Sequence, residues 1–261
     1  MAGYRKQVVT FLDIMGFRNI VGLKTADDIS DMLDRILASA AAPSAAGEGN
    51  TSLISFSDSI IRARPCARDL SVAFFHEVSE LARAQWNLMN SGILVRGGIT
   101  AGEVLIKPGR AFGPAFIKAY DLESSWAKGP RILVDPEIII MLRAEAKTKG
   151  GEEGRALIAR ARELLNHDAD GLWFVDYIRE ASQFTSSADH RAALLAQRDE
   201  IIKITNGLKP SSPVLSKYLW LIRYFNDSAK RIYRGDKSLE IKRTDVPLAD
   251  RLLLPIRKAS I

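Results

Sequence analysis

Apolar and β-branched residues crowd the first fifteen positions, where Val8, Val9, Phe11, Leu12 and Ile14 form a nearly unbroken run around Thr10 and Asp13. Such a run reads as a strand buried on both faces, ending in a carboxylate and then in Gly16, where the chain can turn closely. From 18 to 41 the spacing becomes helical, with Ile29, Met32, Leu33, Ile36 and Leu37 three and four residues apart. A small, polar, glycine-bearing loop covers 43–50. Two apolar-rich arms between 52 and 63 then flank Ser57-Asp58-Ser59 and predict a β-hairpin with Asp58 at its tip, closed by Pro65. A long amphipathic helix is expected over 67–90, with Phe75, Val78, Leu81, Ala82, Trp86 and Met89 on one face and Gly92 as its stop. Residues 93–106 read as a strand in which Gly97, Gly98 and Gly102 ask for a bend or a close neighbour.

This β-α-β-β-α-β order predicts an α+β, ferredoxin-like core with one antiparallel sheet, both helices on one face, and the first and third strands adjacent in the middle. Beyond it, Pro114 opens a helix to about 128, 131–134 is a short strand, and Asp135-Pro136 starts another helix. Glycines 150, 151 and 154 precede a helix over 155–165, and 172–178 reads as a last apolar strand. The rest is mainly helical, over 188–206 and 213–234, the second with Leu215, Leu219, Ile222 and Tyr224 among basic residues. Loop and short helix are expected beyond 243. The expected division is a sheet-bearing domain over 1–180 and C-terminal helices over 181–261 packed on it.

With 261 residues, 47% apolar and 26% charged, the chain can bury one substantial core. It has neither an apolar run of bilayer length nor the ordered regions of a signal peptide, so a cytoplasmic protein without a membrane partner is expected. Cys66 alone cannot form an internal disulfide, and His76, His167 and His190 are too scattered for zinc. The net charge of +6 is all C-terminal: 15 Lys and Arg stand against 7 Asp and Glu in 191–261, and 22 against 24 before it. A nucleic-acid surface would explain that excess. The aromatic and glycine patterns of the common nucleic-acid modules are missing, however, and a solvated helical face or a polyphosphate site gives the same count.

Candidate chemistry lies at two strand ends. If the first and third strands are neighbours, Asp13 and Asp58 converge and repel unless a divalent cation lies between them, an all-oxygen arrangement that suits magnesium or manganese together with phosphates. Backbone amides after Gly16 are placed to cradle a phosphate as a helix begins. The plainer reading is that Asp13 caps that helix.

Four motifs in order resemble the catalytic domains of class III nucleotidyl cyclases across residues 7–135. They are Phe11-Leu12-Asp13-Ile14-Met15-Gly16-Phe17, Phe56-Ser57-Asp58, Val95-Arg96-Gly97-Gly98-Ile99-Thr100-Ala101-Gly102-Glu103-Val104, and Phe112-Gly113-Pro114 on to Leu122. The resemblance implies that 1–180 is the catalytic domain and that Asp13, Asp58 and the Ile14 carbonyl bind two Mg2+ or Mn2+ ions. It also implies that Met15, Gly16, Phe17 and Arg18 hold the triphosphate, and that a homodimer carries its sites at the interface. The ions would activate the ribose 3′-hydroxyl for attack on the α-phosphorus, so no protein nucleophile is required.

The departures matter as much. Where adenylate cyclases of that family carry a purine-reading Lys, this chain has Ile54. Where they carry its acidic partner, it has Arg110. Where they carry the transition-state Asn and Arg, it has Ile117 and Asp121. These differences, with the basic C-terminus, resemble the pyrimidine cyclases of the bacterial Pycsar antiphage system, which implies a cyclic UMP or cyclic CMP signal read by a separate effector. Uridine triphosphate is the expected substrate, because Ile54 narrows the pocket and Arg110 offers donors to two uracil carbonyls, with Asn50, Thr51 and Ser52 as further readers. The missing cation is expected from Arg96, Lys217 or Arg223. Lys217 and Arg223 lie in a segment with Tyr218, Trp220 and Asn226 that reads equally well as a solvated helical face. The alternatives are a purine cyclase and an inactive nucleotide-binding regulatory domain.

Overall fold

The computed structural model describes residues 3–41, 51–66 and 69–250. The chain divides into two compact units, 1–184 and 185–261. The first begins with β1 (Arg5–Ile14), α1 (Phe17–Leu23), α2 (Ala26–Ala40), β2 (Ser52–Phe56), β3 (Ser59–Pro65), α3 (Leu70–Asn90) and β4 (Val95–Lys107). Its four strands lie in the order β2-β3-β1-β4, every neighbour antiparallel. The α+β, ferredoxin-like core expected from the pattern is therefore the core that forms, with the first and third strands in its middle.

The alternation along β1 explains its double burial. Val9 and Phe11 turn to one face, where they cluster with Ala63 of β3, Val104 of β4 and Ala115 and Ala119 further along the chain. Thr10 turns to the other and donates to Glu77 of α3 at 2.8 Å. Glu77 also receives Arg62 Nε at 2.8 Å and Arg64 Nε at 3.2 Å, all three side chains being buried. One carboxylate thus ties both central strands to α3. Burial raises its carboxyl pKa, but the Arg62 and Arg64 charges and the hydrogen bonds outweigh that and hold it below the ordinary value.

The helix expected over 18–41 is two helices. Lys24, extended, ends the first, and Thr25 caps α2 reciprocally with Asp28, whose amide donates to Thr25 Oγ1 at 3.2 Å while the Thr25 amide donates to Asp28 Oδ2 at 3.3 Å. After β5 (Arg110–Phe112), the helix expected to run to 128 is α4 (Pro114–Asp121) followed by one π turn, Leu122–Trp126. Gly98 allows that segment to lie on β4, since a Cβ there would stand 2.5 Å from Leu122 Cβ and 3.2 Å from the Glu123 nitrogen.

Then come β6 (Ile132–Val134), α5 (Pro136–Lys149), α6 (Gly151–Leu164), β7 (Leu165–His167), β8 (Trp173–Val175) and α7 (Tyr177–Phe184). The strands extend the sheet past β4 in the order β6-β8-β7. β6 runs parallel to β4, so the sheet is antiparallel throughout its core but not throughout its length. The expected strand over 172–178 ends at Val175; the Glu180 amide donates to the Asp176 carbonyl at 3.0 Å and the chain turns helical.

The second unit contains α8 (Ser187–Gly207), α9 (Leu215–Ile232), a 3-10 turn at Arg243–Asp245 and α10 (Pro247–Asp250). Leu215, Tyr218, Leu221, Ile222 and Phe225 form the buried face of α9, while the expected core position Leu219 is only half-buried. Among the described residues, no helix is long and apolar enough to cross a membrane.

Candidate active site

The register of three strands brings the two acids to one end of the sheet. Asp13 pairs with Ser59 on the β3 side and with Arg96 on the β4 side. Asp58 precedes Ser59, and the Ile14 amide donates to the Asp58 carbonyl at 3.0 Å. The two carboxylates therefore leave the main chain from adjacent positions, and Asp13, Ile14 and Asp58 line one pocket with Ile36, Gln85 and Val95. The hairpin tip is a two-residue turn closed by Phe56 and Ser59, with Ser57 in the left-handed region at φ 57. A non-glycine residue there carries roughly 1 kcal/mol of backbone strain or more, offset by the rest of the hairpin.

Asp13 is not a helix cap. The N-cap of α1 is Gly16, left-handed at φ 80 and without a capping side chain, while the Asp13 carboxylate receives Arg96 Nε at 3.0 Å. The same Arg96 nitrogen lies 2.6 Å from Glu123 Oε1 in the π turn. Arg96 is 25% exposed and Asp13 18%, whereas Glu123 is 3% exposed. A cation expected from the sequence thus sits on one of the proposed metal acids, held from behind by a carboxylate that the sequence reading did not single out. Met15, Gly16, Phe17 and Arg18 form the turn out of β1 into α1; the Met15 amide donates to the Leu94 carbonyl at 2.8 Å and the Asn19 amide to the Gly16 carbonyl at 2.9 Å, while Phe17 and Arg18 begin the helix, where amides have no intrahelical acceptor.

The oxygen donors at this end of the sheet are the Asp13 and Asp58 carboxylates and the Ile14 carbonyl, with the Arg96 guanidinium beside Asp13. That set fits magnesium or manganese, which bind through one or two carboxylates and complete their shell with water and substrate phosphate. Among the described residues no group of three or more His, Cys, Asp or Glu is arranged for a metal, so a protein-only cage is not formed.

Solved structures to which the chain is similar include three cyclases. They are the adenylyl cyclase CyaB from P. aeruginosa (16% identity over 54% of this chain and 82% of that one, TM-score 0.43), the guanylate cyclase domain of RhGC from Catenaria anguillulae in complex with GTP (15%, 55% and 85%, TM-score 0.40), and an adenylate/guanylate cyclase/hydrolase from Silicibacter pomeroyi (16%, 67% and 98%, TM-score 0.39). No family model and no curated protein matches the chain.

The other expected site residues lie elsewhere. Ile54 on β2 pairs with Ile61, which pairs with Phe11, so Ile54 is two strands away from β1 and two residues short of the Asp13 level. Ser52 is farther along the same edge strand, opposite Ala63. Arg110 pairs with Lys107 at the far end of β4, about 35 Å from Arg96 at the ordinary strand rise. One chain therefore does not bring Arg110 to Asp13. Asn50 lies outside the described residues. Ile117 and Asp121 are exposed on α4, and Ile117 presents 59% of its surface. Lys217 and Arg223 are on α9 of the second unit, the first half-buried and the second exposed.

Two structural roles escaped the sequence. Glu123 had one readable signal, a lone acid on the buried stripe of Ala119, Leu122 and Ala127. Glu77 had a comparable one, an acid between Phe74 and Val78 on the apolar face of α3.

Proposed function

We propose that this chain is a nucleotidyl cyclase that converts a nucleoside triphosphate to its 3′,5′-cyclic monophosphate and pyrophosphate. The observation that carries the reading is the convergence of Asp13 and Asp58 at adjacent ends of β1 and β3, fixed by the hydrogen bond from the Ile14 amide to the Asp58 carbonyl. When bound, two Mg2+ or Mn2+ ions at Asp13, Ile14 and Asp58 supply activation of the ribose hydroxyl and neutralise the leaving pyrophosphate. The turn from Met15 to Arg18 would orient the triphosphate through the amides that begin α1, Phe17 and Arg18, the Met15 amide being held by the Leu94 carbonyl at 2.8 Å. Arg96 provides a fixed positive charge beside the acids. Lys217 and Arg223 are the further candidates for charge stabilisation.

The base preference follows from what this chain lacks. Ile54 offers an apolar wall and no donor where a purine-reading Lys would stand, and Arg110 offers donors where an acid would stand. A pyrimidine fits that wall better, and uracil gives Arg110 two carbonyl acceptors against one in cytosine. Since Arg110 is far from Asp13 within one chain, a homodimer with interfacial sites is part of this reading, a second copy supplying Arg110. The cyclic pyrimidine nucleotide would act as an antiphage signal read by a separate effector.

The test is incubation of purified protein with equal concentrations of the four ribonucleoside triphosphates and Mn2+, with mass spectrometry of the products. Cyclic UMP is the expected main product. Cyclic AMP or cyclic GMP would leave the cyclase but overturn the pyrimidine preference, and no cyclic product would favour the inactive regulatory domain.

A further inference from the structure

Arg96 is shared between two carboxylates of different burial. Glu123 is 3% exposed and comes from the π turn that Gly98 lets settle onto β4, so its carboxylate is fixed in the sheet's wall. Asp13 is at the open end of β1. Arg96 Nε donates its hydrogen bond to Asp13 at 3.0 Å and lies in an ion pair 2.6 Å from Glu123 Oε1. A guanidinium stays charged at any physiological pH, and a divalent cation on Asp13 would be repelled by it at this range. Cation and guanidinium are therefore competitors for one carboxylate.

We propose, resting on the reading of Asp13 as a metal ligand, that Glu123 is a positioning residue that sets how strongly Arg96 competes with the metal. With Glu123 in place, Arg96 can let go of Asp13 without losing an ionic partner and without leaving the site. The closed pair of Arg96 and Asp13 satisfies the acid before metal arrives, and the buried Glu123 keeps that closure weak. Removing either end of this arrangement should move metal affinity in opposite directions. Arg96→Met frees Asp13 from its competitor, whereas Glu123→Gln leaves Asp13 as the nearest remaining carboxylate and tightens the closure.

The experiment is Mn2+ binding to the full chain without nucleotide, read from the loss of the free-ion electron paramagnetic resonance signal, with circular dichroism as a check on folding. Arg96→Met is expected to bind Mn2+ about tenfold more tightly than the natural chain and Glu123→Gln about tenfold more weakly, the size of one charge-assisted hydrogen bond. In the Arg96→Met background, Glu123→Gln should have no effect, because its influence passes through Arg96. Glu123→Asp should recover part of the natural affinity. Shifts in the same direction, or a Glu123→Gln effect that persists once Arg96 is gone, overturn the proposal while leaving the metal site intact. Failure of the natural chain to bind Mn2+, or binding that survives Asp13→Ala, overturns the two-carboxylate reading itself and this inference with it.

Discussion

Glu77→Gln should unfold the first unit more easily by about 3–5 kcal/mol, the cost of breaking a buried ion pair from one side. The magnitude follows from four contacts. Glu77 accepts Arg62 Nε at 2.8 Å and Thr10 Oγ1 at 2.8 Å through Oε1, and Arg62 and Arg64 at 2.9 and 3.2 Å through Oε2. Glutamine keeps one acceptor and turns the other into a donor facing guanidinium donors, and takes away the fully buried carboxylate of the pair, Glu77 and Glu80, that faces the two buried arginines. Against a typical folding stability of about 5–15 kcal/mol, that is a large fraction. Urea unfolding followed by circular dichroism at pH 7 measures it. The pH dependence gives a second handle. Because the folded pKa of Glu77 lies below its ordinary value of 4.5, its contribution is present above that value and is lost as pH falls below 4.5 through the folded value. The gap between the natural chain and Glu77→Gln should therefore be full at pH 7 and shrink below pH 4.5. A loss under about 1 kcal/mol at pH 7, or a gap that does not shrink in acid, would refute the claim that this carboxylate carries the charge balance between β1, β3 and α3.

Three further outcomes are expected. Gly98→Ala should cost about 1–3 kcal/mol by thermal unfolding, because its Cβ would push the Leu122–Trp126 turn off β4. The active protein should sediment as a homodimer, and a stable, active monomer at nanomolar concentration would remove the shared base pocket. Among Arg96→Ala, Lys217→Ala and Arg223→Ala, at least one should lower turnover on the order of 100-fold; if all stay within a few-fold, the stabilising charge lies on another residue.

The core was legible because it rests on local signals that agree. The run from Val8 to Ile14, the paired arms around Ser57-Asp58 and the stretch 93–106 each predict a strand, and the order of strands and helices then puts Asp13 beside Asp58. What escaped depends on contacts that no local pattern carries. Ser57 adopts a positive φ because the hairpin closes around it, not because serine prefers it. The three-residue strand β7 is too short for a period to show, and the strand expected over 172–178 overruns β8 because Tyr177 and Ile178 look like strand until Asp176 starts a helix. Thr25 and Asp28 did carry a capping signal, and the helical spacing around them masked it. The charge partners were the least legible part, since nothing at Arg96 points to Glu123, 27 residues away.

The most direct test of the account is the turnover of Asp13→Asn and Asp58→Asn with Mn2+ and the triphosphate that the natural chain prefers, each variant checked for folding by circular dichroism. Neither side chain is buried in the core, and each substitution removes one charge while keeping the side chain's size. The account predicts a native spectrum for both and a fall in cyclic product on the order of 100-fold or more for each. A folded variant that keeps more than a few per cent of natural turnover contradicts it.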